Sequence, residues 1–330
     1  MMWFLYIMDV VGVVFQVGNE IMIVMFSTPA RAFSTSAVLN KSVNNVTIIG
    51  AGLMGSGIAQ VTAAAKLNVN LVDSNEKALQ KAQKGIQSSI ARIAKKKHAG
   101  DEAAQKALVE SVLSKITVST NLPKAVEQSD LVIEAIVENI EVKRKLFAEI
   151  EANTSAQTLL ATNTSSLKLI DIGANLKHKD RFGGLHFFNP VPVMKLLEVV
   201  RFDATSKETF DSLLAYGKAA GKTTVACKDT PGFIVNRLLV PYCFEALRLA
   251  ERGDASKEDI DVAMKLGAGY PMGPFELSDY VGLDTLKFIM DGWVKDHPND
   301  PTFNASESLN KLVKEGKLGR KTGEGFYKYN

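Results

Sequence analysis

Six residues, Gly50-Ala51-Gly52-Leu53-Met54-Gly55, carry the spacing G-x-G-x-x-G. They stand directly between an apolar run, Val46 to Ile49, and an amphipathic stretch that begins at Leu53. In that setting each glycine has a job: the first permits a tight turn, the second lets backbone approach a pyrophosphate, and the third lets helix and strand pack closely. The helix start adds NH groups and the positive end of its dipole, so the pattern is an anion cradle suited to a dinucleotide. Asp73 falls eighteen residues after Gly55, at the end of the next apolar run. A carboxylate there accepts both ribose hydroxyls of an adenosine and repels a 2′-phosphate, and the residues that follow are Ser74 and Asn75 rather than arginine. The expected cofactor is therefore NAD and not NADP. The alternatives are a plain strand-to-helix turn for the glycines and a helix cap for Asp73.

The elements that must hold these residues alternate. The pattern predicts a strand over Val46–Ile49, a helix from Leu53 to Leu67, a strand over Val69–Val72 and a long helix from Asn75 to about Lys97. A strand over Leu131–Ala135, a helix over Glu141–Glu151 and a strand over Thr158–Ala161 continue the series. Such alternation implies a mainly parallel sheet covered on both faces. After Gly183 the texture changes: Leu185–Phe188 and Lys195–Val200 read as strands joined by the turn Asn189-Pro190-Val191-Pro192, whose prolines cannot continue a ladder. Helical periodicity takes over in Phe233–Arg252 and Lys257–Leu266, with Asp229-Thr230-Pro231-Gly232 as the boundary. The expected fold class is α/β, a Rossmann-like mainly parallel sheet domain followed by an all-α C-terminal domain. The expected parts are residues 1–42 as an N-terminal extension, 43–228 as the NAD-binding domain and 229–330 as the helical domain.

Four segments together resemble the L-3-hydroxyacyl-CoA dehydrogenase family: Leu185-His186-Phe187-Phe188-Asn189-Pro190-Val191-Pro192, Lys228 to Arg237, Gly267 to Phe275, and Thr322-Gly323-Glu324-Gly325-Phe326-Tyr327. The resemblance runs from about Val43 to Asn330 and is nearest to single-function mitochondrial members that take short- and medium-chain substrates. It implies NAD-dependent oxidation of (S)-3-hydroxyacyl-CoA to 3-oxoacyl-CoA in fatty-acid β-oxidation, by a homodimer that pairs through its helical domain. His186 matches the catalytic histidine, and an imidazole titrates where a general base should. Glu198 matches its partner acid. If the chain reverses around Pro192, His186 and Glu198 lie six residues either side of it and become cross-strand neighbours. A carboxylate there would hold one tautomer and stabilise the imidazolium. Without the resemblance, one histidine among four reads as structural and Glu198 as a surface residue.

By the same resemblance Ser165 and Asn236 bond the substrate near its 3-oxygen and orient the histidine pair, while Asn189 sits near the nicotinamide. Glu138, Lys143 and Lys321 match cofactor contacts beside the whole glycine loop, Gly50, Ala51, Gly52, Leu53, Met54 and Gly55, and Asp73. Ser165 is expected to touch cofactor and CoA substrate alike. Ser89 and Lys96 match contacts to CoA, whose phosphates suit ammonium partners, although Lys95-Lys96-Lys97 is otherwise a solvated helix end. Two other classes remain as competitors: a β-hydroxyacid dehydrogenase acting on free acids, which would rely on a lysine-centred site, and a structural role of the crystallin kind.

Bulk properties fit this reading. Hydrophobic residues make up 46% and charged residues 23% of 330, the composition of a soluble globular protein, and a net charge of +3 is too small to indicate nucleic acid. Two cysteines in separate contexts argue against a disulfide framework and a cysteine zinc site, and no metal is expected. Met1 to Met25 is apolar but interrupted by Asp9, Gln16, Asn19 and Glu20, short of the ~18 uncharged residues of a membrane span. Ile21 to Ser42 carries Arg31 and Lys41, several hydroxyl residues and no acid, the composition of a mitochondrial transit peptide, and the expected location is the matrix. A secretory signal is the competing reading; no basic stretch precedes Met1–Met8, and Asp9 ends it.

Overall fold

The computed structural model of the chain describes the backbone of residues 4–7, 10–17 and 20–27, and all of residues 43–329. The chain divides into two units, residues 1–39 and 40–330. In the first, β1 (Phe4–Ile7), β2 (Val10–Val17) and β3 (Glu20–Ser27) pair antiparallel in the order β1-β2-β3. Most of the acid-free stretch that suggests an import signal, residues 28–42, lies outside the described residues.

In the second unit β4 (Asn45–Ile49), β5 (Asn68–Val72), β6 (Ile116–Ser119), β7 (Leu131–Glu134), β8 (Leu159–Thr162), β9 (Phe182–Phe187), β10 (Leu196–Arg201) and β11 (Thr223–Lys228) form one sheet. Its order is β11-β10-β9-β8-β7-β4-β5-β6, parallel throughout except for the antiparallel β9–β10 pair. Residues alternate along each strand between two cores. Ile48, Leu131 and Ile133 pack with α1 (Leu53–Ala64) and α2 (Glu76–Lys97) on one side. Ile49 and Val132 pack on the other with Phe147 and Ile150 of α5 (Ile140–Asn153), behind α3 (Glu102–Leu113) and α4 (Leu122–Val126) in the chain. Both faces are buried, which is why the strands read as unbroken apolar runs rather than as alternation. Asn75 and Asn139 cap α2 and α5 by accepting from first-turn NH groups, each cap contributing about 1 kcal/mol.

The short α6 (Leu169–Ile172) and then α7 (Lys207–Ala219) complete the sheet domain. Beyond it α8 (Val235–Glu251), α9 (Lys257–Gly267), α10 (Pro274–Val281), α11 (Leu283–Asp296) and α12 (Glu307–Lys314) share a third core around Phe244, Leu247, Phe275, Leu286 and Trp293. The sheet-then-helix architecture agrees with the sequence expectation. Most boundaries shift by a residue or two, and two larger shifts have clear local reasons. Helix α1 stops at Ala64 because Lys66 adopts a left-handed φ of 68°, turning the chain into β5. Strand β9 begins at Phe182, three residues before the expected Leu185, running through Gly183 and Gly184. A Cβ on Gly183 would lie 2.6 Å from Leu213 and one on Gly184 2.8 Å from Val200, so these glycines admit close neighbours rather than break the strand.

Candidate active site

Strand order reverses beside β4, with β5 on one side and β7 on the other, so the loop leaving β4 opens at a topological switch point. Gly50 takes a φ of 107°, and a Cβ there would lie 2.5 Å from the Ala135 carbonyl oxygen. At Gly55 a Cβ would lie 1.7 Å from the Gly50 carbonyl oxygen, which only glycine permits. Gly52 is different: nothing lies within 4 Å of a Cβ there, so its face is open. Helix α1 starts at this glycine with no side-chain cap and no acid in its first turn. Its NH groups and dipole are thus left for an anion, and the loop fits a dinucleotide pyrophosphate.

Two cavities share Gly52 and Leu53. One, of about 1210 Å³, is lined by Gly50, Met54, Asp73, Leu122 and Ile136. Asp73 accepts from Ala51 N at 2.8 Å and from Asn75 N at 2.8 Å, bracing the loop from the end of β5. The other, of about 910 Å³, runs between α2 and the Asn189–Val193 turn, and holds Ala51, Ser89, Arg92, Lys96 and Asn189. Arg92 is a cation that the sequence reading passed over; it falls one helical turn before Lys96 on the same face of α2.

Most of the remaining residues meet at the start of α8, which contacts the His186–Glu198 pair through backbone NH groups and the loop after β8 through Asn236. His186 faces Glu198 across the β9–β10 ladder, and its Nδ1 lies 2.7 Å from Glu198 Oε2. Both are buried. The second carboxylate oxygen of Glu198 accepts from Ile234 N at 3.1 Å and Val235 N at 2.8 Å, the first NH groups of α8. Phe188 and Phe233 flank the imidazole, at ring-centroid distances of 4.4 and 5.5 Å. Asn163 Oδ1 accepts from Phe187 N at 2.9 Å, holding β9 next to the histidine. Asn236 Nδ2 donates to the Ser165 carbonyl at 3.3 Å, which links α8 to the loop after β8. Glu138 receives Ser165 N and Ser166 Oγ, each at 3.1 Å, and the Thr164 hydroxyl. Burial opposes its ionisation, yet Lys143 and these hydrogen bonds outweigh it and hold the Glu138 carboxyl below its ordinary 4.5.

Lys143 is 1% exposed and bonded to Glu134 at 2.6 Å and Glu138 at 3.0 Å. Lys321 stands apart: it pairs with Asp284 of α11 at 2.5 Å and lines neither cavity. Glu134 was not singled out by sequence reasoning; the available signal was a carboxylate closing the apolar strand Leu-Val-Ile. Burial, then Glu198 and Asp229, push the Cys227 thiol up to about 12, away from the thiolate form.

Residues 45–230 match the family model of the 3-hydroxyacyl-CoA dehydrogenase NAD-binding domain, and residues 232–329 that of the 3-hydroxyacyl-CoA dehydrogenase C-terminal domain. The chain belongs to the 3-hydroxyacyl-CoA dehydrogenase family. It is 72% identical over 299 residues to a probable 3-hydroxyacyl-CoA dehydrogenase of Caenorhabditis elegans, covering 91% of this chain and 96% of that one. It is 57% identical over 304 residues to the human mitochondrial hydroxyacyl-coenzyme A dehydrogenase, covering 91% and 97%. Among solved structures, the (S)-3-hydroxybutyryl-CoA dehydrogenase of Ralstonia eutropha superposes with a TM-score of 0.82 at 40% identity, over 88% of this chain and all of that one. As a 3-hydroxyacyl-CoA dehydrogenase the chain is an NAD-dependent oxidoreductase, and its glycine loop lies inside the part matched as NAD-binding.

Proposed function

We propose that the chain oxidises (S)-3-hydroxyacyl-CoA to 3-oxoacyl-CoA with His186 as general base and Glu198 as its partner. The observation that carries the assignment is the 2.7 Å contact between His186 Nδ1 and a carboxylate whose other oxygen is held by the start of α8. A carboxylate on Nδ1 takes the hydrogen there, so Nε2 presents a lone pair. Nε2 removes the hydroxyl proton of the substrate while the C3–H bond breaks and the C3 carbonyl forms. NAD, when bound, supplies the acceptor for the hydride leaving C3. Glu198 stabilises the imidazolium as the proton arrives, and α8 holds Glu198 at the positive end of its dipole. In this reading Ser165 and Asn236 hold the 3-oxygen, supported by the hydrogen bond that joins Asn236 to the Ser165 carbonyl. Gly50 to Gly55 and Asp73 hold the dinucleotide, with Glu138, Lys143 and Asn189 on its nicotinamide side. Ser89 and Lys96 hold the CoA end; Lys321 would reach a cofactor only by leaving Asp284.

The reading includes residues 43–228 and 229–330 as the two working domains, with the substrate between them. Leu238, Val262, Leu266 and Phe288 on α8, α9 and α11 are 49 to 82% exposed. Exposed apolar side chains on three helices of one domain are best covered by a second copy of the chain, a homodimer. Among the described residues no helix is long and apolar enough to cross a membrane. Relatives from human, rat and pig are named mitochondrial, which with the acid-free N-terminal composition supports the matrix as the site of action.

The test is loss of NADH absorbance with acetoacetyl-CoA beside free acetoacetate. Turnover of the thioester alone is expected; equal turnover of the free acid, or of neither, would end the proposal. Sedimentation of the same protein as a monomer at micromolar concentration would remove the dimer.

A further inference from the structure

Two segments span the gap between the glycine loop and the His186–Glu198 pair. Ala135, Ile136 and Val137 follow β7 and line the cavity that also holds Gly50 and Asp73. Asn163, Thr164 and Ser165 follow β8, and Asn163 and Ser165 are bonded to β9 and α8 respectively. A dinucleotide with its pyrophosphate on the loop and its nicotinamide at the histidine must pass over them. Beneath both segments lies Glu134, 0% exposed, with every contact an acceptance: Lys143 Nζ at 2.6 Å and Ile136 N at 2.8 Å on one oxygen, Thr162 Oγ1 at 2.7 Å on the other. Lys143 reaches on to Glu138, which grips Ser165. Among the described residues no other cation pairs with either glutamate.

Such a cluster needs a reason other than stability, because desolvation of a buried ion pair cancels most of its attraction. Its charge supplies one. Were Lys143 paired with Glu138 alone, the two would be neutral; with Glu134 sharing the same ammonium, two carboxylates face one cation. We propose that Glu134 is a positioning residue that keeps one negative charge in excess beneath the nicotinamide, so that the site favours the cationic oxidised ring over the neutral reduced one. It acts through Lys143 and Glu138 and touches no reacting atom. The inference rests on the cofactor orientation proposed above.

The experiment compares dissociation constants for NADH, by fluorescence titration, and for NAD, by competition, in the wild-type chain and in Glu134→Gln. The ratio Kd(NAD)/Kd(NADH) should rise roughly 5- to 30-fold, the effect of one unit charge about 8 to 15 Å away at an effective dielectric of about 20. A merely structural role would weaken both ligands alike, and a ratio moved by less than about twofold in a folded variant overturns the proposal. Should Glu134→Gln not fold because it strands a buried ammonium, Glu134→Gln with Lys143→Met removes both charges and leaves Glu138 as the single excess carboxylate. There the ratio should stay within about twofold of wild type even as both affinities fall. A shift beyond about fivefold would show that geometry rather than charge sets the preference. Failure of the wild-type chain to bind NADH would overturn the cofactor reading itself, a separate result from an unchanged ratio in a chain that binds both.

Discussion

Replacing Glu198 by glutamine changes one atom and sets two sets of partners against each other. One carboxylate oxygen takes His186 Nδ1 at 2.7 Å, and the other takes Ile234 N and Val235 N at 3.1 and 2.8 Å. An amide has one accepting oxygen. With that oxygen toward His186, its NH2 faces two backbone NH donors, leaving buried donors unmatched at about 1–3 kcal/mol of stability. With the oxygen toward α8, the NH2 donates to Nδ1, which forces the hydrogen onto Nε2 and removes the lone pair the reaction needs. Lost stabilisation of the imidazolium adds about 2–3 kcal/mol, or roughly 30- to 150-fold in rate. Together these place the fall in kcat for Glu198→Gln at about 10²–10⁴. The assay is NADH consumption with acetoacetyl-CoA, run beside NADH fluorescence titration, which should be unchanged because Glu198 is fully buried and lines neither cavity at the glycine loop. A folded Glu198→Gln with kcat within about threefold of wild type would refute the assignment of Glu198 as the histidine's partner.

Three further outcomes are expected. Gly55→Ala places a Cβ 1.7 Å from a backbone oxygen that cannot rotate away, so about 3 kcal/mol of stability and measurable NADH binding should both be lost; thermal melts and titration check this, and an unchanged melt would contradict the close packing. Lys96→Ala should raise KM for acetoacetyl-CoA about two- to fivefold at low salt and leave KM for acetoacetyl-pantetheine unaltered, and equal changes in both would take Lys96 off the CoA phosphates. Glu138 has a folded pKa below its ordinary 4.5, so its contribution to stability is full above that value and is lost as pH falls through the lower folded pKa. Urea midpoints of wild type and Glu138→Gln should therefore converge as the pH drops below about 4.5, and a gap that widened on acidification would reverse the sign of the argument.

Short-range pattern was enough for the parts of this protein that repeat a local rule. The glycine spacing after an apolar run, and Asp73 at the end of the next strand, predict the tight strand-to-helix loop that the fold contains, because a turn, a helix start and a close approach each demand a residue type. The His186–Glu198 pairing was legible for a similar reason: a turn around Pro192 makes the register a matter of counting. Strand β9 was misplaced at its start because Gly183 and Gly184 act through Leu213 and Val200, neighbours that no local pattern reveals. Tertiary structure alone decided that the NH groups of Ile234 and Val235, 36 and 37 residues further on, hold Glu198. It alone buried Glu134 and Lys143 together behind Glu138, and drew Lys321 to Asp284. A charge on a helix looks solvated in sequence, because whether water or a carboxylate meets it depends on which distant segments close over it.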